Sequence, residues 1–401
     1  MRIAMFTDTY YPARDGVITS MINTVKELRE MGHEVFIFAP DDEKHRISDE
    51  QNDRYVYLLK AKEFRWYPQY RMAIFPTDLK RTLTSLNVDI IHSHGIAFMG
   101  FKSMVQGRKL GVPVVLTFHT MVTDGAKHYF PIMPHEIAES LANIYLKVFL
   151  QRVSAVVAPS SPILNEIKKL APEMKKWAVI PSGIDPERFH EGVDGSSLRK
   201  RLGLENNTVF LYVGRMGAEK NLKLLIEAFP YILKERPDSV LIMVGDGPVK
   251  EKCMKEAEKS GLGDRIRFMG FVSDEEVPLF YSMADAFIFP SRFETQGLVA
   301  LESMAVGTPV AGINYRAIPD FIEDGKSGYL FENDPESCAN AALKAADAPE
   351  SVIKAGIETA KKYSRHLCAE RLLELYEELV DENRRKNGRK RTGKVNISSL
   401  Q

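Results

Sequence analysis

Short runs of β-branched and aromatic residues recur along this chain, and a helical pattern follows nearly every one. That alternation restricts the fold more than any other feature. In the first half the runs are RIAMFTD, HEVFIFAP, VDIIHSH, VPVVLTF and SAVVAPS; in the second they are TVFLYVG, SVLIMVGDG, RIRFMGF, DAFIFPS, TPVAGI and GYLF. Apolar runs of this length, separated by helices, read as parallel strands buried on both faces. The first helix puts Val17, Ile18, Met21, Ile22, Val25 and Leu28 on one face and stops at Met31-Gly32. The segment 181–208 is rich in Pro, Gly, Asp and Ser, and a new strand–helix series begins after it. The restart predicts two doubly wound domains, residues 1–180 and 181–364, facing each other across a cleft lined by strand C-termini. A last helix is expected over 365–383 with Leu367, Leu372, Leu375 and Leu379, followed by a disordered basic tail at 384–401.

Composition narrows the function classes. The chain is 44% hydrophobic and 27% charged, which fits sizeable soluble cores. No apolar run approaches the ~20 residues of a membrane span. The opening MRIAMFTD is too short and too soon acidic for a signal peptide. Cys253, Cys338 and Cys368 lie far apart without a CxxC pair, as expected of thiols in a reducing cytoplasm. The net charge of zero is unevenly spread: 23 basic against 19 acidic residues in 1–180, 24 against 35 in 181–383, and seven against none in the last 18. A basic part of this kind points to an anionic partner such as a membrane surface. The tail lacks interleaved aromatics, so no nucleic-acid role is expected.

The loops after the strands hold the residues with chemistry. In FETQGLVALE, Glu294 sits at a helix entrance and Glu302 about two turns inside it. Gly297, Leu298 and Val299 present backbone N–H groups at the helix start, an anion site. An anion there leaves Glu294 to face neutral hydroxyls and Glu302 to accept from a ribose. The plainer alternative is an acid serving the helix dipole and a solvated glutamate. Arg215 and Lys220 emerge from the Gly-containing loop of YVGRMGAEKNL, and two cations suit a diphosphate. VGDGPVKE has Lys250 where a dinucleotide motif needs its third glycine, and GKS at 325–327 has Asp320 where a P-loop needs its first. Gly16 opens the first helix and gives a phosphate room near the backbone. His92, His94 and His119 stand at two strand ends without metal-ligand spacing; they read as a polar rim, with His92 a satisfied core residue.

Taken together, DGVIT, TFHT, VVAPSS, PSGID, VGRMGAEKN, VGDGP, GFVSDEEV and FETQGLVALESMAVGTPV resemble the retaining glycosyltransferases of family 4 over nearly the whole chain. The resemblance implies the GT-B architecture of two facing Rossmann-like domains, with the last helix returning to the first domain. It implies that Arg215 and Lys220 hold a donor diphosphate, with Gly16, Gly245, Gly297, Leu298 and Val299 around it. Glu294 would contact the donor sugar, Glu302 the ribose, and His119 the reaction centre. The catalytic set is then Glu294, His119, Arg215 and Lys220. No cofactor and no metal is implied; the donor is a nucleotide sugar, UDP-glucose.

The segment FHTMVTDGAKHYF resembles the HTM-x-x-D stretch of bacterial 1,2-diacylglycerol 3-glucosyltransferases, although Val122-Thr123 replace an aromatic-acidic cluster of such relatives. This implies His94, Asp124, His128 and Tyr129 as acceptor residues, diacylglycerol as acceptor, and a peripheral position on the cytoplasmic face of the cell membrane. KAKEFRWYPQYRMAIFP mixes Lys60, Lys62, Arg65 and Arg71 with aromatics, as interfacial segments do; a partly buried strand and turn is the alternative. No protein partner is evident. A soluble sugar or polysaccharide acceptor, a nucleotide-sugar epimerase and a catalytically inactive sugar-nucleotide binder remain as alternatives.

Overall fold

The computed structural model describes residues 1–11, 16–42, 53–64, 67–119, 135–174 and 176–395. The chain divides into two units, Met1–Ser182 with His366–Gln401, and Gly183–Arg365.

Unit 1 is built on a seven-stranded parallel sheet. Its strands are β1 (Arg2–Phe6), β2 (Glu34–Pro40), β3 (Val56–Leu59), β6 (Ile90–Ser93), β7 (Val114–Thr117), β8 (Ala155–Ala158) and β9 (Trp177–Val179), in the order β3-β2-β1-β6-β7-β8-β9. A separate antiparallel pair, β4 (Lys62–Phe64) and β5 (Tyr67–Met72), stands apart from it. The helices are α1 (Gly16–Glu30), α2 (Leu79–Ser85), α3 (Phe98–Leu110), α4 (His135–Leu150) and α5 (Ser161–Leu170). The residues of β1, β6, β7 and β8 are almost all buried, which is why they read as unbroken apolar runs. By contrast, β9 has an exposed–intermediate–exposed pattern and β3 is mostly intermediate, so neither edge strand carries a signal of its own.

Unit 2 begins with α6 (Ser196–Arg201) and repeats the plan with six parallel strands. They are β10 (Val209–Val213), β11 (Val240–Val244), β12 (Ile266–Gly270), β13 (Ala286–Phe289), β14 (Val310–Ile313) and β15 (Tyr329–Phe331), in the order β12-β11-β10-β13-β14-β15. Among its helices are α7 (Leu222–Glu235), α8 (Lys250–Lys259), α9 (Val277–Met283), α10 (Leu298–Val306), α11 (Pro335–Ala346) and α12 (Glu350–Lys361). The strand order reverses at β1/β6 in unit 1 and at β10/β13 in unit 2. Loops leaving neighbouring strands diverge at such a point and open a crevice at the strand C-termini.

The last helix, α13 (Arg365–Val395), corrects two expectations. Its buried stripe is Cys368, Ala369, Leu372, Leu375, Tyr376, Leu379 and Val380, while Leu367 is exposed. Most of that stripe packs with Ile3, Met5, Val25, Ile90 and Val115 of unit 1. The backbone also stays helical through Val395, where a disordered tail from 384 was expected. Packing of the earlier turns supplies the costly nucleus, after which each added residue gains a hydrogen bond. Lys386–Glu382 and Arg384–Asp89 ion pairs extend beyond the buried stripe.

Candidate active site

In unit 2 the loops at the β10/β13 switch point bring two expected residues into contact. Lys220, in a 3-10 turn after β10, lies 2.5 Å from a carboxylate oxygen of Glu294, in the loop after β13. Both side chains are mostly buried, at 20% and 16% exposure. Burial makes each ion depend on the other, because a lone charge there would lose its hydration without compensation. The ion pair joins residues 74 apart in sequence and differs from the expected orientation of Glu294 toward neutral hydroxyls alone. Arg215 differs: it is 70% exposed, with Glu219 at 3.6 Å.

The glycines around this crevice are held by geometry. Gly245 follows β11 with φ of 127°, and a Cβ there would lie 2.0 Å from the Gly214 carbonyl oxygen. The two loops therefore meet backbone to backbone. Gly297 has φ of 88°, where a Cβ would come within 2.9 Å of Ile318 and Phe289. It is the N-cap of α10 and, having no side chain, makes no capping bond itself. The N–H groups of the first turn, at Leu298 and Val299, carry the positive end of the helix dipole.

Glu302, one turn into α10, accepts a hydrogen bond from the Tyr281 hydroxyl at 3.0 Å. Burial raises its carboxyl to about 7, opposed by the Tyr281 bond and the Arg188 charge. Glu302 is thus poised to gain or lose a proton near neutrality.

In unit 1 three histidines cluster at the ends of β6 and β7. The His92 and His94 rings are 4.2 Å apart, and His94 Nδ1 lies 3.0 Å from His119 Nε2. His92 is fully buried: Nδ1 meets the Tyr376 hydroxyl and Nε2 the Thr117 hydroxyl at 2.6 Å. His94 Nε2 is buried with no hydrogen-bond partner among the described residues. Burial pushes His92 down to about 3 and His119 to about 4, and it drives His94 well below the usual range, with its neighbours adding to the effect. All three are therefore neutral imidazoles at physiological pH, able to bond hydroxyls but not to supply positive charge. Among the described residues no group of three or more His, Cys, Asp or Glu side chains is placed to hold a metal.

Some residues escaped the sequence reading. Asp8, just beyond β1, accepts from the backbone N–H groups of Ala97 at 2.9 Å and Met99 at 2.7 Å, so it caps α3 from outside the helix. Burial lifts its carboxyl to about 6, against the pull of those N–H groups. Its place at the end of the first strand was the one available signal. Thr117 had the same kind of signal, a strand end within TFHT; Tyr281 and Tyr376 had none.

Gly16 is the first residue of α1, and a Cβ there would meet nothing within 4 Å. Asp124, His128 and Tyr129 lie outside the described residues, as do Arg65 and Trp66 of the basic aromatic stretch. In that stretch Arg71 is held by Asp42 at 2.7 Å and Glu63 at 3.1 Å, so it is not available as an interfacial cation. Lys60 stands over the Phe75 ring.

Comparison with known proteins gives this geometry a family. The model of glycosyl transferases group 1 matches residues 196–363, and that of glycosyltransferase family 4 matches residues 14–188. The chain is 28% identical to an alpha-monoglucosyldiacylglycerol synthase of Acholeplasma laidlawii, over 97% of this chain and 100% of that protein. It is 31% identical to an enzyme of the same name from Streptococcus pneumoniae, over 86% of this chain and 78% of the relative. A crystal structure of Anabaena Alr3699/HepE in complex with UDP superposes with a TM-score of 0.76 at 19% identity, over 94% of this chain and 100% of that one. Sucrose-phosphate synthase from Thermosynechococcus elongatus gives 0.73 at 20%, over 95% and 99%. With likeness running through both units, the chain belongs to the glycosyltransferases of family 4 and has their GT-B fold.

Proposed function

We propose that this glycosyltransferase moves glucose from UDP-glucose to diacylglycerol at an anionic membrane surface, with retention of anomeric configuration and without a divalent cation. The observation that carries the reading is the likeness to two alpha-monoglucosyldiacylglycerol synthases over 97% and 86% of this chain. In this reading Lys220, Arg215 and the first-turn N–H groups of α10 hold the diphosphate and stabilise the charge that departs with it, a preorganised electrostatic contribution. Gly16 leaves the phosphates room, and Gly245 lets the loops after β10 and β11 close backbone to backbone. Glu294 orients the sugar while paired to Lys220, and Glu302 takes the ribose. The acceptor oxygen attacks the anomeric carbon on the face the diphosphate leaves, and a donor phosphate oxygen takes its proton. His119, neutral at working pH, bonds a sugar hydroxyl; His94, Asp124, His128 and Tyr129 are the acceptor residues in this reading. The two glutamates thus hold two different sugars rather than flanking one scissile bond as in a glycosidase.

A membrane position is supported by α4. Ile137, Leu141, Ile144 and Val148 fall on one side of it at helical spacing and are 52%, 51%, 59% and 40% exposed. Phe98 and Phe101 of α3 are exposed as well. Among the described residues no helix is long and apolar enough to cross a membrane, so attachment in this reading is peripheral, from the cytoplasmic side.

The test is an acceptor panel with radiolabelled UDP-glucose: diacylglycerol in anionic micelles, simple sugars, and no acceptor, each with and without chelator. Label in the organic phase, in the α-anomer and unaffected by chelator, is expected. Label confined to soluble products overturns the lipid acceptor, and conversion of the donor without any acceptor indicates an epimerase.

A further inference from the structure

We propose that Tyr376 is a positioning residue for the histidine cluster of unit 1: its hydroxyl fixes the tautomer of His92 and, through Thr117, steadies the strand end that leads to His119. The proposal rests on the transfer reaction above only where turnover is the readout.

Tyr376 lies on α13, 284 residues along the chain from His92, and both side chains are fully buried. The two rings meet edge to face, with centroids 5.6 Å apart at 78°. Each nitrogen of the His92 ring meets a hydroxyl, Tyr376 at Nδ1 and Thr117 at Nε2. A neutral imidazole has one N–H and one bare nitrogen, so one hydroxyl must donate to it and the other must accept. A phenol is more acidic than an aliphatic alcohol, which makes it the better donor and the poorer acceptor. Tyr376 therefore donates to Nδ1, the His92 proton resides on Nε2, and that N–H donates to Thr117 Oγ1 at 2.6 Å.

Thr117 ends β7, two residues before His119. His119 in turn bonds His94, whose ring lies against that of His92. The Tyr376–His92–Thr117 chain thus stands behind the His94–His119 pair and braces it from two directions. Tyr376 reaches no reacting group in this arrangement; it acts through His92. Replacing it by Phe keeps the ring and removes the donor. Nδ1 of His92 is then left buried without a partner, and the ring loses one of the two bonds that hold it in place.

The experiment uses the full chain labelled with 15N-histidine. Wild-type His92 is expected to be protonated at Nε2 and bare at Nδ1. Tyr376→Phe should shift the Nδ1 signal of His92 and the ring signals of His94 and His119. Its kcat for glucosyl transfer should fall about tenfold while KM for UDP-glucose stays within about twofold, as for a small misplacement at a reacting centre. Thr117→Val approaches the same imidazole from its other nitrogen and should also disturb the His119 signals, which keeps the test open if Tyr376→Phe fails to fold. A wild-type His92 protonated at Nδ1 overturns the proposal. So does a folded Tyr376→Phe or Thr117→Val enzyme with wild-type His94 and His119 signals and wild-type kcat. A wild-type enzyme that transfers glucose to no acceptor refutes the proposed function instead, and the ring signals alone then decide the role of Tyr376.

Discussion

Glu302 offers a test that separates binding the ribose from merely sitting in a helix. Burial holds its carboxyl near 7, while the Tyr281 hydroxyl and the Arg188 charge pull the other way. Only the ionised form accepts hydrogen bonds from both ribose hydroxyls, so donor binding must displace its proton. At about pH 6 a group with this value is about nine-tenths protonated, and UDP-glucose binding should release close to one proton per site. At about pH 8 the release should fall to about a tenth. Affinity should weaken as pH falls below 7, about tenfold for each unit, or about 1.4 kcal/mol. Calorimetry at about pH 6 in buffers of different ionisation enthalpy counts the protons. Asp8, near 6, titrates in the same window, so Glu302→Gln is the necessary control, and it should abolish the release. Binding by the wild type with no proton release and a pH-independent Kd refutes the ribose role. Release that persists in Glu302→Gln refutes the assignment of the proton.

Three further perturbations follow from the geometry. Lys220→Met leaves the mostly buried Glu294 without its counter-charge and should destabilise unit 2 by about 2–4 kcal/mol; Lys220→Met with Glu294→Gln should regain much of that. Hydrogen-exchange protection of β10 and β13 amides reads this, and equal protection in the single and double variants contradicts it. Gly245→Ala forces a Cβ to 2.0 Å from the Gly214 carbonyl oxygen at φ of 127° and should cost more than about 3 kcal/mol; a Tm within about one degree of wild type contradicts the contact. For Asp8 the folded value of about 6 lies above the ordinary 3.8, so its contribution to stability is fully present below that value and is lost as pH rises through about 6. Asp8→Asn should remove about 3 kcal/mol of that pH dependence, read from unfolding free energies between about pH 4 and 7. A slope as steep as that of the wild type counts against it.

Much of this molecule could be read without coordinates. Strands buried on both faces, such as Ala155–Ala158 and Ala286–Phe289, are apolar throughout, and local composition alone marks them. Where burial is partial the mark fades: β3 and β9 went unread. The candidate donor residues were legible because in a doubly wound sheet the loops after strands hold the ligands, and strand ends are visible in sequence. Gly245 and Gly297 were legible as glycines, but the reason for each, a backbone approach and a crowded positive-φ turn, lies in segments elsewhere in the chain.

Local sequence was enough to read the two-unit α/β plan, the restart between the units, the strand-end placing of Arg215, Lys220, Glu294, His94 and His119, the helical placing of Glu302, and the family. These follow from periodicity and local motifs, which act over a few residues. Which charges neutralise each other and which groups lose water depends on contacts made in three dimensions. Lys220 and Glu294 are 74 residues apart, His92 and Tyr376 284, and Asp8 caps a helix 91 residues on. Protonation is set by that burial. The carboxyl of Glu302 rises to about 7 and the imidazole of His119 falls to about 4 because surrounding side chains exclude solvent, and no local motif encodes what surrounds a residue in space.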